Sequence, residues 1–185
     1  GMGLVVRAQD AKLGRDVALK VLASELSHDA NAHERFLREA QAVAGIQHEN
    51  VVRIFGVEDI DGIPFLAMEL VDGITLEDYL RDSKKLSPGE VISFARQIAL
   101  GLAAAHKQNL VHRDIKPANI LLQKIDPQDG GVGPLSTWHV KITDFGLARV
   151  AATSQLTSPG VIAGTPQYMS PEQASGQELD VRSDL

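Results

Sequence analysis

The stretch VHRDIKPANILL, from Val111 to Leu122, packs His112, Arg113, Asp114, Lys116 and Asn119 between apolar neighbours. Leu110 and Val111 precede it, and Ile120, Leu121 and Leu122 close it. Charges beside a core strand are costly unless they find partners. Two readings stand: a dense polar surface turn, or polar groups converging on a ligand. Asp114 and Asn119 are five residues apart, and Pro117 punctuates the segment between them. A further acid, Asp144, closes an apolar strand and precedes Phe145 and Gly146. Acid and amide oxygens so arranged suit a hard cation such as Mg²⁺. Lys116 lies between them, where it could neutralise a phosphate. His112, flanked by Val111 and Ile115, reads as a packed, hydrogen-bonded histidine rather than a catalyst.

Two more charges fall at awkward places. Lys20 lies in DVALKVL, and strand alternation puts it on the face of Ala18 and Leu22. Glu39 lies between Phe36 and Val43, close to a helix's apolar stripe. Pairing them would relieve both and dock the helix on the sheet. Otherwise Lys20 snorkels to water and Glu39 sits on the stripe's edge.

The elements that must position these residues fall into two groups. Leu4 to Ala8 and Asp16 to Leu22 read as strands of a hairpin. A helical pattern runs from about Asp29 to Ala44, with Gly45 as its stop. VVRIFGVEDI and GIPFLAMEL read as two strands around Asp61 and Gly62. Residues 1–70 are thus expected to form a small antiparallel sheet with one helix. Beyond Gly73 the pattern is mainly helical: a short helix from Thr75 to Arg81, then a longer one opened by Ser87-Pro88-Gly89-Glu90. That tetrapeptide is a capping box with proline at the first helical position. The helix carries Val91, Ala95, Ile98, Leu102 and Ala105 at helical spacing and ends near Asn109. A loop rich in Gly, Pro and Asp spans 126–136, and HVKITDFGL starts as an alternating strand. The fold class expected is α+β.

Bulk properties bound the alternatives. The chain has 185 residues, which suits one domain or two small lobes sharing a cleft. Its 44 % apolar and 23 % charged residues are ordinary for a globular protein. A net charge of −6 argues against a broad nucleic-acid-binding face. With no cysteine there is neither a disulfide framework nor a thiolate metal site. No apolar run reaches the length of a membrane span, and a cytoplasmic location is expected.

Taken in order, VALK, Glu39 nineteen residues after Lys20, MELVDG, HRDIKPAN, DFG and GTPQYMSPEQA resemble the signature set of protein kinases. In detail the set is similar to that of bacterial, eukaryotic-like (Hanks-type) Ser/Thr kinases. The resemblance covers the whole chain. It implies a bilobal kinase-like fold, with 1–70 as a sheet lobe lacking its first strand and 71–185 as an incomplete, mainly helical lobe. It implies transfer of the γ-phosphoryl of ATP to Ser or Thr of protein substrates, the chain itself among the candidates, with Mg²⁺ or Mn²⁺.

The resemblance also implies roles. Lys20 would hold the α- and β-phosphates with Glu39 as its partner. Asp114 would be the catalytic base, Lys116 a neutralising cation, and Asn119 and Asp144 the metal ligands. Gly3 and Val5 would cover the nucleotide, and Ala18 and Leu121 would sandwich adenine. Met68 would be the gatekeeper, with Glu69 and Val71 on the hinge. His112 would stack with Phe145, Val43 and Ile54. Arg113 would answer a phosphate on an activation loop: Thr157 is the best match there, with Ser158, Thr153 and Ser154 as alternatives. Thr165 would contact Asp114. A catalytically inactive ATP-binding scaffold and a small-molecule phosphotransferase of related fold are the rivals. The full set of polar residues argues against the first, and GTPQYMSPE against the second.

The chain departs from the pattern in three places. The first two glycines of the phosphate-covering loop are missing. Asp184 matches the residue that opens the large lobe's central helix, and the rest of that helix is absent. An insertion is expected within 123–139, and it includes Trp138. A longer protein, membrane-anchored beyond this region, is one expectation. An isolated 1–185 fragment is expected to be marginally stable and nearly inactive.

Overall fold

The computed structural model describes residues 3–22, 30–60, 63–83, 85–125, 138–145 and 166–185. Two antiparallel sheets organise it. The first contains β1 (Gly3–Asp10), β2 (Arg15–Leu22), β3 (Ile54–Ile60) and β4 (Ile63–Glu69), in the order β1-β2-β4-β3. Helix α1 (Ala30–Ala44) packs beside this sheet, on β3. The second contains β5 (Gly73–Thr75), β6 (Ile120–Lys124) and β7 (Trp138–Ile142), in that order. Helices α2 (Leu76–Ser83) and α3 (Pro88–His106) pack with it, and a short helix α4 (Pro171–Ala174) comes later in the chain. This is the α+β arrangement that the sequence indicates.

The differences from the sequence expectation have physical causes. Strand β3 starts at Ile54 rather than Val51, because Val51 and Val52 serve the other sheet. Val51 bridges Ile142, Val52 N–H donates to the Ile142 carbonyl at 2.9 Å, and Ile142 N–H donates to the Asn50 carbonyl at 2.9 Å. The three-residue β5 is too short to show a period. It pairs through a close approach at Gly73, where a Cβ would sit 2.2 Å from the Leu122 carbonyl oxygen. Helix α3 packs inward at Ile98, Leu102 and Ala105 as expected and departs from the expectation in its first turns. Phe94, Gly101, Leu102 and Ala105 are buried, whereas Val91 and Ala95 are exposed. Small residues on several sides of this helix let the apolar spacing be read in more than one register. Its capping box forms as read: Glu90 accepts from Ser87 N–H at 2.8 Å. Trp138 belongs to β7, opposite Lys124, and packs edge-on to Tyr79. Gln123 and His139 are also paired, so the insertion is narrower than 123–139.

The main core lies between α3 and the second sheet. It joins Phe94, Leu102 and Ala105 to Ile120, Leu122, Val140 and Ile142, and continues through Val51, Ile46, Val43 and Phe145. A buried amide network ties the same surfaces. Asn50 Nδ2 donates to the Val140 carbonyl at 2.8 Å, and Gln97 Oε1 accepts from Val140 N–H at 2.9 Å.

Candidate active site

The segment from Leu110 to Lys116 has no regular secondary structure of its own, and Pro117–Asn119 form only a single 3-10 turn before β6, so side chains fix its path. Ile120 and Leu122 are buried on β6 and anchor its exit. His112 is fully buried and anchors its middle. Its ring accepts the Asp114 N–H on Nδ1 at 3.2 Å and lies 2.9 Å from the Thr143 carbonyl through Nε2. A backbone N–H only donates and a carbonyl only accepts, so the neutral tautomer protonated on Nε2 satisfies both. Burial holds the imidazole's pKa below its ordinary value, against the opposing pull of the Thr143 carbonyl and Asp184. The ring lies tilted against Phe145, with centroids 4.5 Å apart and an interplanar angle of 52°. Phe145 in turn shares a void of ≈ 10 Å³ with Val43, Ile54 and Met68.

Asp184 completes the scaffold. Its carboxylate is fully buried and 2.7 Å from His106 Nε2. It accepts the N–H of His112 on Oδ2 and of Arg113 on Oδ1, both at 2.8 Å. Arg113 has φ = 68°, in the left-handed region that an L-residue with a side chain enters at a cost. The turn aims Asp114 away from the buried side, where it is half-buried.

Around Asp114 the structure gathers the expected polar groups. Lys116 Nζ is 2.8 Å from Asp114 Oδ2. Asn119 Nδ2 donates to the Asp114 carbonyl at 2.8 Å and to its Oδ2 at 3.0 Å. Asp144 lies beyond the end of β7, with φ = 63°. Its Oδ1 lies 2.7 Å from Lys20 Nζ. Lys20 is buried on β2, opposite Leu66 of β4 and Val5 of β1. The Glu39 side chain lies outside the described residues, and with it the Lys20–Glu39 pair. Thr153, Ser154, Thr157, Ser158 and Thr165 also fall outside them.

An apolar surface adjoins these charges. Ala18 and Met68 are cross-strand neighbours, and they cluster with Val52, Val71 and Leu121. Val5 pairs with Lys20, which puts it on the same sheet face, and it is exposed; Gly3 opens the strand opposite Leu22. Glu69 does not stand free beside this surface. Lys141 Nζ, on a largely buried side chain, lies 2.9 Å from Glu69 Oε1.

The donor set fits a cation that arrives with phosphates. Among the described residues no three His, Cys, Asp or Glu side chains cluster as a metal cage. Asp144 and Asn119 offer one carboxylate and one amide oxygen, the small protein share that Mg²⁺ takes when substrate phosphates and water complete its shell. Asn119 already donates through Nδ2, which leaves its Oδ1 for a metal.

The protein kinase domain family matches residues 1–185. This chain belongs to the protein kinase family. It is 40 % identical over its full length to a probable serine/threonine-protein kinase of Streptomyces coelicolor. It is 36 % identical to the serine/threonine-protein kinase PknB of Mycobacterium leprae, and 36 % to PrkC of Bacillus subtilis. The chain spans 27 %, 29 % and 27 % of those relatives, less than a third of their length. The PknI kinase domain of Mycobacterium tuberculosis superposes with a TM-score of 0.74 at 28 % identity, over 100 % of this chain and 64 % of that one. A double mutant of the same domain gives 0.76. The fold is therefore the kinase fold, and the chain is homologous to bacterial Hanks-type Ser/Thr kinases.

Sequence reasoning missed three residues of the site's frame. Lys141 carried a usable signal, a lysine between buried Val140 and Ile142, the same kind of anomaly that singled out Lys20. Asp184 was legible as a position but not as the ligand of two backbone amides. Gln173 gave no signal, because a glutamine after Glu172 is unremarkable until its partners are seen.

Proposed function

We propose that the chain is the catalytic region of a Ser/Thr protein kinase, transferring the γ-phosphoryl of ATP to Ser or Thr of a protein. The convergence of Asp114, Lys116 and Asn119 within hydrogen-bond reach of one another carries the reading. Asp114 accepts the proton of the acceptor hydroxyl as its oxygen bonds to phosphorus and the bond to the ADP oxygen breaks. General-base help of this kind is worth about 10²–10⁴-fold. Lys116 offsets charge on the phosphoryl oxygens next to that base. Lys20, largely buried beside Asp144, offsets charge on the other phosphates. Asn119 and Asp144 would hold Mg²⁺, which supplies charge neutralisation across the phosphates. Ala18, Val71, Leu121 and Met68 form the apolar wall for adenine, covered from Val5 and Gly3, with Glu69 and Val71 on the hinge between lobes 1–70 and 71–185.

Positioning and electrostatics are the main contributions a protein makes to phosphoryl transfer, and this site is built from them. Arg113, exposed next to Asp114, is the candidate partner for a phosphate on the 151–160 segment, with Thr157 as the leading acceptor. The test is transfer of labelled phosphate, to itself and to a generic protein substrate, by the complete natural protein. Asp114→Ala should abolish transfer and leave nucleotide binding intact; an active Asp114→Ala protein would refute the assignment of the base.

A further inference from the structure

The strained peptide just before Asp114 is gripped from both sides. Arg113, at φ = 68°, holds a conformation that persists only where its surroundings over-determine it. Its N–H donates to Asp184 Oδ1 at 2.8 Å. Its carbonyl accepts from Gln173 Nε2 at 2.6 Å, across 60 residues of sequence. The other end of the same amide is also committed: Gln173 Oε1 accepts from Ser170 N–H at 2.8 Å. A backbone N–H only donates and a carbonyl only accepts, so a single amide orientation satisfies both partners.

A helix cap explains only half of this. Ser170 and Gln173 form a capping box at the start of α4. A capping box needs an oxygen from the third helical residue, which glutamate supplies as well as glutamine. The Nε2 group has no part in the cap, yet it reaches the one carbonyl that fixes how Asp114 leaves a left-handed turn.

We propose that Gln173 is a positioning residue for Asp114, tying the segment that carries α4 to the catalytic turn. The proposal rests on the reading of Asp114 as the base. When this segment is seated, the Arg113 peptide has partners at both ends. When the segment lifts, the carbonyl loses its donor and the direction of Asp114 loosens. Seating of the segment that carries α4 is thereby made a condition for presenting the base.

Gln173→Glu separates the two roles. It keeps an oxygen for Ser170 N–H but turns a carboxylate oxygen toward the Arg113 carbonyl. Gln173→Leu removes both contacts. In the complete natural protein, Gln173→Glu is expected to melt only slightly below the unvaried protein, because the lost contact lies on a half-buried side chain, and to keep its KM for ATP. Its kcat should fall about tenfold, and amide exchange at His112–Asp114 should quicken by a similar factor. Gln173→Leu should show the same losses and also melt lower. Exchange at those amides is read without any phosphate transfer. Absence of transfer in the unvaried protein would overturn the functional reading, while slowed or quickened exchange still decides the grip. If Gln173→Glu matches the unvaried protein in exchange and kcat, with only Gln173→Leu impaired, Gln173 is a cap and the proposal is wrong.

Discussion

Asp184→Asn removes one charge and one acceptor from a fully buried position, and its cost can be built up from the contacts. Three N–H groups converge on the carboxylate: those of His112 and Arg113 at 2.8 Å each, and His106 Nε2 at 2.7 Å. Asparagine has one oxygen. Its best placement keeps that oxygen where Oδ2 was, serving His112 and His106. The amide nitrogen then faces the Arg113 N–H, donor against donor. Losing a hydrogen bond to a charged group costs about 1.5–3 kcal/mol, and stranding a buried N–H costs about 1–3 kcal/mol. Relaxation recovers part of this, so a loss of roughly 3 kcal/mol is expected. Urea unfolding of the complete natural protein reads it, and with an m-value of about 1–3 kcal/mol/M the midpoint should fall by at least about 1 M. Asp180→Asn is the control. Its carboxylate sits in an exposed pair with Arg182, and the midpoint should not move. Phosphate transfer should drop in Asp184→Asn, because Arg113 loses the anchor of its left-handed turn. An unchanged midpoint would refute the claim that the Asp184 carboxylate holds the turn before Asp114.

Lys141→Met should destabilise by about 2–3 kcal/mol in chemical unfolding, because it leaves Glu69 near a buried wall without its cation; partial exposure of Glu69 keeps the cost below that of a fully buried pair. Gly101→Ala should lower the melting temperature by an amount equivalent to about 1–3 kcal/mol. A helix interior normally gains from this change, but here the new Cβ would lie 2.8 Å from the Asn50 carbonyl oxygen and 2.9 Å from Ile142. His112 makes stability depend on pH. Its folded pKa is lowered by burial, so below its unfolded pKa of about 6.5 the unfolded chain takes up a proton that the folded chain refuses. Stability from this group is therefore full above that pH and falls on acidification, by up to about 1.4 kcal/mol per pH unit. Urea titrations between pH 7 and 5 should show a shallower slope for His112→Phe than for the unvaried protein.

Where one local signal carried the information, the sequence was easy to read. Short apolar runs on either side of turn residues gave β1, β2 and β4, and Ser87-Pro88-Gly89-Glu90 gave the start of α3 to the residue. The polar cluster was legible because Asp114, Lys116 and Asn119 are close in sequence, so their spacing could be read before the partners that hold the segment were known. What stayed hidden was decided by partners distant in sequence. Val51 and Val52 look like the start of β3 and instead bond to Ile142. Gly73 to Thr75 becomes a strand only because Leu121 to Gln123 lies alongside. Val91 looks like a core position of α3 and faces outward, because Phe94 and Gly101 fix that helix's rotation against β7. Gln173 and Asp184 act on Arg113 from 60 and 71 residues away, a separation that no sequence period records.

The seam at Ile142 has a mechanical consequence. Asn50, Val51 and Val52 precede a strand of the first sheet, yet their backbone is stitched to the second, and Glu69 at the end of β4 is pinned there through Lys141. The first sheet is therefore held to the second at two points besides the chain crossing near residue 70, one before β3 and one after β4, and these points define a line. Rotation about such a line swings distant strands further than near ones. Were the first sheet to rotate about that line, Lys20 on β2 would move through a larger arc than Met68 on β4, while Asp144, two residues past Ile142, would stay with the second sheet. Opening and closing would then be read most directly in the gap between Lys20 and Asp144, which is closed to 2.7 Å in this conformation.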